Sequence, residues 1–462
     1  MPLWADAQLS AKPIVLHDFI QKRAIALRDR ALEESQAYNL VKSVTMEVGP
    51  RSAGSSGDKA AVSWALRKFK ELGFTNIRAE PVTVPHWDRG TTVMEILSPY
   101  PQRLVATAIG GSIGTAEAGI EAPVLAVSTL DELKALSESA ATGKIVYINE
   151  RMERTRDATG YIAAVQKRGF GPSEAAKKGA VALVIRSAGT STDRFAHTGA
   201  KKKLPEIRSI PSVALANADA DILDAQLASG KTVSLRIRMT ARHLPDELSA
   251  NVIGEIRGRE RPDEIVLLGA HLDSWDLGTG ALDDGAGIAI VMEAAHLIGQ
   301  MRPRPQRTIR VVLYANEEFG LSGAYEYADK YAESLIDHVL ALEADLGADP
   351  VFLLESRVAE NALPQVNAMY ALLQPLGIEL GGNSAFGGAD ISTIRDQGVP
   401  VLGPRQDTSR YFDYHHTLND TLDKVNLRGI RQNTAVYAVL AYLAAEIDEG
   451  FGRIPIVESA TE

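Results

Sequence analysis

Hydrophobic positions in the C-terminal half of the chain form short apolar runs that alternate with longer segments of helical spacing. Apolar runs at 265–270, 308–315 and 339–343 predict strands. Patterns at 285–298 and 320–333 predict helices between them. Strands that alternate with helices indicate an α/β fold, in which a mostly parallel sheet is covered by helices on both faces.

The first hundred residues and the last hundred carry similar patterns. Helical spacing predicts helices at 15–36, 59–72, 361–376 and 427–447. Two further runs, at 76–84 and 91–97, have the composition of strands. We expect these segments to belong to the same α/β domain as the central sheet.

Between about 102 and 240 the pattern changes to short apolar runs separated by turns. Four of these runs read as strands, at 144–148, 181–185, 212–215 and 233–237. Helical segments are expected between them, at 130–138, 173–178 and 218–228. We interpret this region as an inserted domain and divide the chain into 1–101, 102–242 and 243–462, the first and last parts forming the catalytic domain. The insert shows no cluster of metal ligands, and its lone His197 is interpreted as structural.

Polar side chains follow the predicted strands where each strand ends. Parallel strands bring their carboxyl ends to one edge of a sheet, so residues far apart in sequence can converge there. The candidates at these ends, and in the later polar loop 413–420, are His271, Asp283, Glu317, Glu318, Asp345 and His416.

These two imidazoles and four carboxylates are the kinds of side chain that bind zinc. Two ions about 3.5–4 Å apart need a bridging carboxylate, and a loop residue such as Asp283 can supply it. Of the pair Glu317 and Glu318, one can bind metal while the other acts as general base. Asp273 can orient the His271 imidazole. Asp420 either does the same near the second histidine or caps a turn.

Each of these pieces also has an ordinary structural explanation. Glu317 and Glu318 fit the acidic first turn of a helix. Asp283 and Asp284 fit an N-cap, and a His-His pair is common in surface loops. Because all pieces fall at strand ends and together complete a shell for two metals, the set favours a metal site over these separate explanations.

Composition and charge exclude several classes of protein. The net charge of -10 argues against nucleic acid as a partner. The absence of cysteine excludes disulfides, thiolate catalysis and Cys-ligated zinc. No apolar run approaches the ~20 residues of a membrane span. The first twenty residues lack a signal pattern, so the native chain has no signal or has lost it. We expect a periplasmic or secreted protein, with the cytoplasm as the alternative.

The motifs at these positions resemble those of a known family, the di-zinc exopeptidases that include bacterial leucyl aminopeptidases, glutamate carboxypeptidases and glutaminyl cyclases. Within it, HLDSWDLGTGALDDGAG (271–287), the segment 411–416 and the insert, which looks like a protease-associated domain, are most similar to the carboxypeptidase Q group. The matching motifs are His271-x-Asp273-Ser274, Gly280-x-x-Asp283-Asp284-Gly285-x-Gly287, Glu317-Glu318, Glu343-x-Asp345 and His416-Thr417.

The resemblance implies a three-layer α/β/α sandwich around a mixed sheet, two Zn²⁺ per chain and, as in several relatives, a homodimer. By position, His271 and Asp345 would hold one zinc, Glu318 and His416 the other, and Asp283 would bridge them. Glu317 would be the general base.

The resemblance also implies hydrolysis of dipeptides or of a terminal residue from short peptides. Carboxypeptidase action is the first expectation and aminopeptidase action the alternative. A glutaminyl cyclase and an inactive binding relative are less favoured, because all five ligands and the base are present. Manganese or cobalt also suits such ligands.

Three further residues are candidates for substrate binding. Arg405 and Arg410 precede the His416 loop, and either can clamp a substrate carboxylate; the alternative is that both are surface arginines. Asp390 follows Gly387-Gly388, where glycine permits close backbone approach, and is a candidate active-site residue. The role of the insert, in dimerisation or as a lid, stays open.

Overall fold

Two eight-stranded sheets organise the chain in the computed structural model, which describes residues 16–202 and 204–456. The strands are β1 Thr75–Asp88, β2 Thr92–Ser98, β3 Gln102–Leu104, β4 Ala106–Ala108, β5 Ile120–Val127, β6 Ile145–Ile148, β7 Ala182–Arg186, β8 Ser212–Leu215, β9 Ser234–Met239, β10 Arg242–Ile256, β11 Arg261–His271, β12 Arg307–Tyr314, β13 His338–Glu343, β14 Val351–Arg357, β15 Glu379–Leu380 and β16 Val401–Gln406.

The helices lie mostly between these strands. They are α1 Asp18–Glu34, α2 Ala37–Glu47, α3 Ser56–Glu71, α4 Leu130–Ala135, α5 Thr159–Lys177, α6 Asn217–Leu227, α7 Gly285–Gly299, α8 Ser322–Lys330, α9 Leu363–Leu373, α10 Ser392–Arg395, α11 Tyr411–Tyr414 and α12 Leu427–Glu446. Short 3₁₀ turns occur at Ala332–Asp337, Glu360–Ala362, Gln374–Leu376 and Leu422–Lys424. Among the described helices, none is long and apolar enough to cross a membrane.

The first sheet is mixed and has the strand order β1-β10-β12-β11-β13-β16-β14-β15. Its central strands β12, β11, β13 and β16 are parallel neighbours, whereas β1, β10 and β14 pair antiparallel. Helices α7 and α12 bury nearly all of their residues in the core on one face. Helices α8 and α10 pack on the other face. The predicted three-layer α/β/α sandwich is therefore confirmed.

The second sheet is built from the chain between β1 and β10 and has the order β3-β2-β9-β5-β6-β7-β8-β4. Its strands β5 to β8 are parallel neighbours. Three of the four predicted runs are β6, β7 and β8, and the fourth is β9, which pairs antiparallel with β2 and β5. It has its own hydrophobic clusters on its two faces. The predicted inserted domain is thus present. Strand β2 already belongs to this sheet, and the division at 102 and 242 stays a prediction.

Some elements differ from those that the pattern predicts. A single helix is expected at 15–36, and residue 15 lies outside the described part. Helix α1 ends at Glu34, and a second helix begins at Ala37, whose N–H donates to the Ser35 hydroxyl. Helix α5 is much longer than the segment expected at 173–178. Three glycines and Pro172 weaken its helical signal, and burial of its side chains overrides that propensity.

Candidate metal centre

Three parallel strands end side by side and place their following loops at one edge of the first sheet. In the register of β11 and β12, His271 lies opposite Tyr314. On the other side of β11, Gly269 lies opposite Glu343. The loops that carry Asp273, Glu317 and Asp345 therefore start at one level, which is the edge where open α/β sheets bind ligands.

The His271 side chain faces two carboxylates. Its Nε2 lies 3.1 Å from an oxygen of Asp283 and 3.3 Å from an oxygen of Asp345. Its Nδ1 lies 3.1 Å from the main-chain oxygen of Asp273 and donates a hydrogen bond to it. This bond fixes the ring and leaves Nε2 directed at the carboxylates, as a metal ligand requires.

The His416 side chain faces a second pair of carboxylates. Its Nε2 lies 2.9 Å from Glu318 and 3.1 Å from Asp283. The two oxygens of Asp283 are thus divided between the two histidines, Oδ1 towards His271 and Oδ2 towards His416. A carboxylate placed in this way can bridge two cations.

Asp273 supports the centre with both its main chain and its side chain. Its carboxylate oxygens accept the main-chain N–H groups of Glu317 at 3.0 Å and of Glu318 at 3.4 Å. The same carboxylate is 3.6 Å from His271 Nδ1, beyond the distance of the carbonyl bond. Asp273 therefore orients His271 through its carbonyl and the two glutamates through its carboxylate.

Asp420 and Asp284 hold the main chain around Asp283. The carboxylate of Asp420 accepts the N–H groups of Leu282 at 2.6 Å and of Asp283 at 3.2 Å. Asp284 caps helix α7 by accepting the N–H of Gly287, and its other oxygen accepts the N–H of His271. The N-cap interpretation thus fits Asp284, while the carboxylate of its neighbour faces the histidines.

Burial and mutual repulsion shift the pKa values of the carboxyl groups here. Burial raises the pKa of Glu317 and of Glu318 well above the usual range, and nearby carboxylates add to both shifts. Burial also raises the pKa of Asp345, with His271 opposing the shift. Burial alone would raise the pKa of Asp283, but the two flanking imidazoles outweigh it and hold that pKa well below its usual range. The ionised forms of these carboxyl groups are therefore unfavourable next to one another, and a bound cation would offset that repulsion.

The donor set fits divalent metal ions. Among the described residues, two groups bring three ligand atoms within 4.8 Å of one another: Asp283 with His415 and His416, and His271 with Asp283 and Asp345. Among the candidate ligands, two buried carboxylate oxygens, Oδ2 of Asp283 and Oε1 of Glu318, accept no hydrogen bond. Buried charges are normally paired or coordinate metals, so oxygens left in this way suit coordination.

The three candidate substrate residues have different surroundings. Asp390 is fully buried, with neither carboxylate oxygen hydrogen-bonded. Burial raises its pKa well above the usual range, and the charge of Glu343 adds to the shift. Arg405 is paired with Glu355 at 3.2 Å. Arg410 is exposed and lines a cleft with Leu346, next to the candidate ligand Asp345. Of the three, only Arg410 is exposed.

Several residues at the centre are not predicted from the sequence. His415 stacks on His416 with ring centroids 3.5 Å apart, and its Nε2 is 3.5 Å from Asp283. The adjacent pair His415-His416 indicates a candidate ligand, but the pattern alone does not show which of the two rings faces the carboxylates. Arg168 and Thr198 of the insert contact His416, and no local motif marks either of them.

The chain is similar to known proteins over most of its length. The sequence profile of peptidase family M28 matches residues 251–441. Carboxypeptidase Q of Mus musculus is 34% identical over 440 residues, which cover 95% of this chain and 92% of that protein. The crystal structure of a peptidase M28 precursor from Shewanella amazonensis SB2B superimposes with a TM-score of 0.93 at 47% identity, covering 95% of this chain and 99% of that one.

A more distant solved structure has the same fold. BSAP, a zinc aminopeptidase from Bacillus subtilis, gives a TM-score of 0.65 at 20% identity, over 91% of this chain and 97% of that one. The α/β sandwich with its insert is therefore shared well beyond the carboxypeptidase Q group.

Proposed function

The chain belongs to peptidase family M28 and is a metallo-exopeptidase, and on that premise we propose that it hydrolyses dipeptides or removes a terminal residue from short peptides with two zinc ions. The observation that carries the proposal is the position of Asp283 between His271 and His416. The name of BSAP as a zinc aminopeptidase supports zinc as the metal.

Five side chains would hold the two ions. His271 and Asp345 would bind one, His416 and Glu318 the other, and Asp283 both. Zinc ions in this arrangement polarise a carbonyl group and lower the pKa of water, so that a nucleophile is available at neutral pH. The remaining chemistry is the transfer of a proton.

Glu317 is the proposed general base. Its neighbour Glu318 faces His416, while the Glu317 main chain is fixed by the Asp273 carboxylate. Burial and nearby carboxylates raise the pKa of Glu317, which matches a group that must take up a proton and release it again. Glu317 would accept the proton of the attacking water and return it to the departing amine.

Carboxypeptidase action is the favoured direction of attack. The identity of 34% with carboxypeptidase Q over nearly the whole chain supports it more than the 20% shared with BSAP supports aminopeptidase action. Dipeptides blocked at one end decide between them. Hydrolysis that survives a blocked N-terminus but not a blocked C-terminus means carboxypeptidase, and the converse means aminopeptidase.

The experiment that tests the whole proposal is a zinc titration of metal-stripped protein with unblocked dipeptides as substrates. We expect activity that saturates near two zinc ions per chain. Two bound ions without hydrolysis would refute the substrate class and leave the metal site standing. Failure to bind zinc would refute the site.

Location and assembly belong to the same proposal. The similar Shewanella protein is named a precursor, which supports a periplasmic or secreted enzyme here too. Fractionation of cells that express the full-length gene tests the location. The homodimer stays a prediction, which analytical ultracentrifugation tests.

A further inference from the structure

The loop that carries His416 is held by the inserted domain. The N–H of Thr198 donates to the His416 carbonyl oxygen at 2.9 Å, and the carbonyl oxygen of Thr198 lies 3.2 Å from His416 Nδ1. His416 has a φ of 60°, in the left-handed region that costs a non-glycine residue about 1–2 kcal/mol. A conformation of this kind persists only where surrounding contacts determine it.

Arg168 of helix α5 contacts Thr198 on the side of the inserted domain. The side chain is only 7% exposed. Its Nη1 donates to the Thr198 carbonyl oxygen at 3.1 Å, and its Nη2 donates to the Tyr161 hydroxyl at 2.9 Å. Gly199 makes room for it, since a Cβ at that position would lie 2.2 Å from the guanidinium carbon.

The roles of the nitrogens follow from the geometry. Nε2 of His416 faces the carboxylates of Glu318 and Asp283, so the neutral ring carries its proton on Nδ1 when Nε2 binds metal. Arg168 Nη1 is 3.4 Å from Nδ1, and two N–H groups cannot bond to each other. Both therefore donate to the Thr198 carbonyl oxygen, whose two lone pairs can accept both bonds.

We propose that Arg168 is a positioning residue for His416: by holding the Thr198 carbonyl and the Tyr161 ring, it fixes the orientation in which His416 presents Nε2 to the metal. The Tyr161 ring stacks on Phe412 with centroids 4.4 Å apart and contacts His415 edge-on at 5.0 Å. Through Tyr161, Arg168 therefore also supports the residues that precede His416. The inserted domain is then part of the metal centre, besides any role in dimerisation or as a lid. The inference rests on the proposed function, because it takes His416 as a ligand.

The test is the stepwise zinc affinity of the metal-stripped protein, measured by competition with a chromophoric chelator. Arg168→Met removes both hydrogen bonds, Arg168→Lys keeps the charge but cannot span both acceptors, and Tyr161→Phe removes one hydroxyl. Groups that orient a ligand histidine typically contribute about 10–100-fold to metal affinity. We expect Arg168→Met to lower the affinity of one of the two zinc steps by about tenfold or more, and Tyr161→Phe to lower the same step by less.

Arg154→Met is the matched control. Arg154 also anchors the loop from the insert, with bonds of 2.9 and 2.6 Å to the Asp413 carboxylate, but it does not touch Thr198 or His416. We expect it to leave both zinc steps unchanged. The absorption bands of Co²⁺-loaded protein provide a second readout, since they report ligand geometry: they should change in Arg168→Met and not in Arg154→Met.

The outcomes separate this inference from the proposed function. If His416→Ala loses one zinc step while Arg168→Met and Arg168→Lys keep both, the metal site stands and the role of Arg168 is overturned. An equal loss in Arg154→Met would overturn it too, since general loosening of the loop would then explain the effect. If His416→Ala keeps both steps, the ligand assignment itself fails. Should Arg168→Met not fold, as judged by circular dichroism, Arg168→Lys and Tyr161→Phe decide.

Discussion

The carboxylate of Asp420 accepts the main-chain N–H of Asp283 at 3.2 Å, across 137 positions of sequence. Its other oxygen accepts the N–H of Leu282 at 2.6 Å. Burial raises the pKa of Asp420 to about 7, the charge of Asp283 adds to the shift, and the two main-chain bonds oppose it. Asp420 follows the candidate ligand His416 in the same loop, and it fixes the main chain of Asp283, the candidate bridging ligand.

Replacing Asp420 should weaken metal binding without touching a ligand. In Asp420→Asn the amide nitrogen cannot accept a hydrogen bond, so one of the two buried N–H groups loses its partner, at a cost of about 1–3 kcal/mol. We expect zinc affinity to fall by about 10–100-fold. Asp423→Asn, an exposed change three residues further on, is the control and should bind zinc like the wild type. Equal affinities in all three proteins would contradict the supporting role.

Glu317→Gln should separate metal binding from catalysis. The amide has the size of the carboxyl group but cannot accept and return a proton, so kcat should fall by about 10²–10⁴-fold while two zinc ions still bind. Glu326→Gln, on the exposed side of the next helix, should keep full activity. A Glu317→Gln enzyme with near wild-type turnover would rule out the base assignment.

The fold and the main candidates at the centre could be predicted because their signals are local. Strands β11, β12 and β13 each contain a short apolar run, and polar residues stand at or just after the end of each strand. Once those strands are taken as parallel, the convergence of His271, Glu318 and Asp345 follows from topology. The N-cap, the ordinary structural alternative for Asp283 and Asp284, applies to Asp284, which caps α7.

The remaining parts of the centre depend on contacts between distant segments. Thr198 meets His416 across 218 positions, and Arg168 lies on a helix whose pattern is obscured by Gly169, Gly171 and Pro172. His197 is buried and its Nδ1 donates to the His415 carbonyl oxygen, which is a structural role. Strands β14 and β16, which pair antiparallel with each other, are not predicted either, because polar residues end the apolar run of β14 after four positions and Gly403 and Pro404 interrupt that of β16.

Arg51 should be one of the main stabilising residues beside the centre. The side chain is fully buried and donates to the carbonyl oxygens of Leu272, Thr279 and Gly280 at 2.7, 2.8 and 2.9 Å. Arg51→Met leaves these oxygens without that donor, which should cost at least about 3 kcal/mol. The thermal midpoint of the metal-free protein measures the effect. Arg67→Met, which breaks a half-exposed ion pair, should cost under about 1 kcal/mol, and an equal shift would contradict the prediction.

His338 should make the protein less stable in mild acid. Burial lowers its pKa to about 4 from an ordinary 6.5, and the charges of Arg310 and Arg453 add to the shift, while the Ser334 carbonyl opposes it. The neutral ring is satisfied, since Nδ1 donates to Ser334 at 3.1 Å and Nε2 lies 2.8 Å from the Tyr327 hydroxyl. The unfolded chain takes up the proton at higher pH than the folded chain.

The stability that the neutral His338 ring contributes is therefore fully present above pH 6.5 and is lost as the pH falls towards 4. The shift corresponds to about 3 kcal/mol. In His338→Gln no proton is taken up at this position. Between pH 7 and pH 4 the free energy of unfolding of the wild type should therefore fall by about 3 kcal/mol more than that of the variant. Urea unfolding at both pH values measures it. His17→Gln, at an exposed position, should follow the wild type, and a parallel pH dependence in His338→Gln would assign the acid sensitivity to other groups.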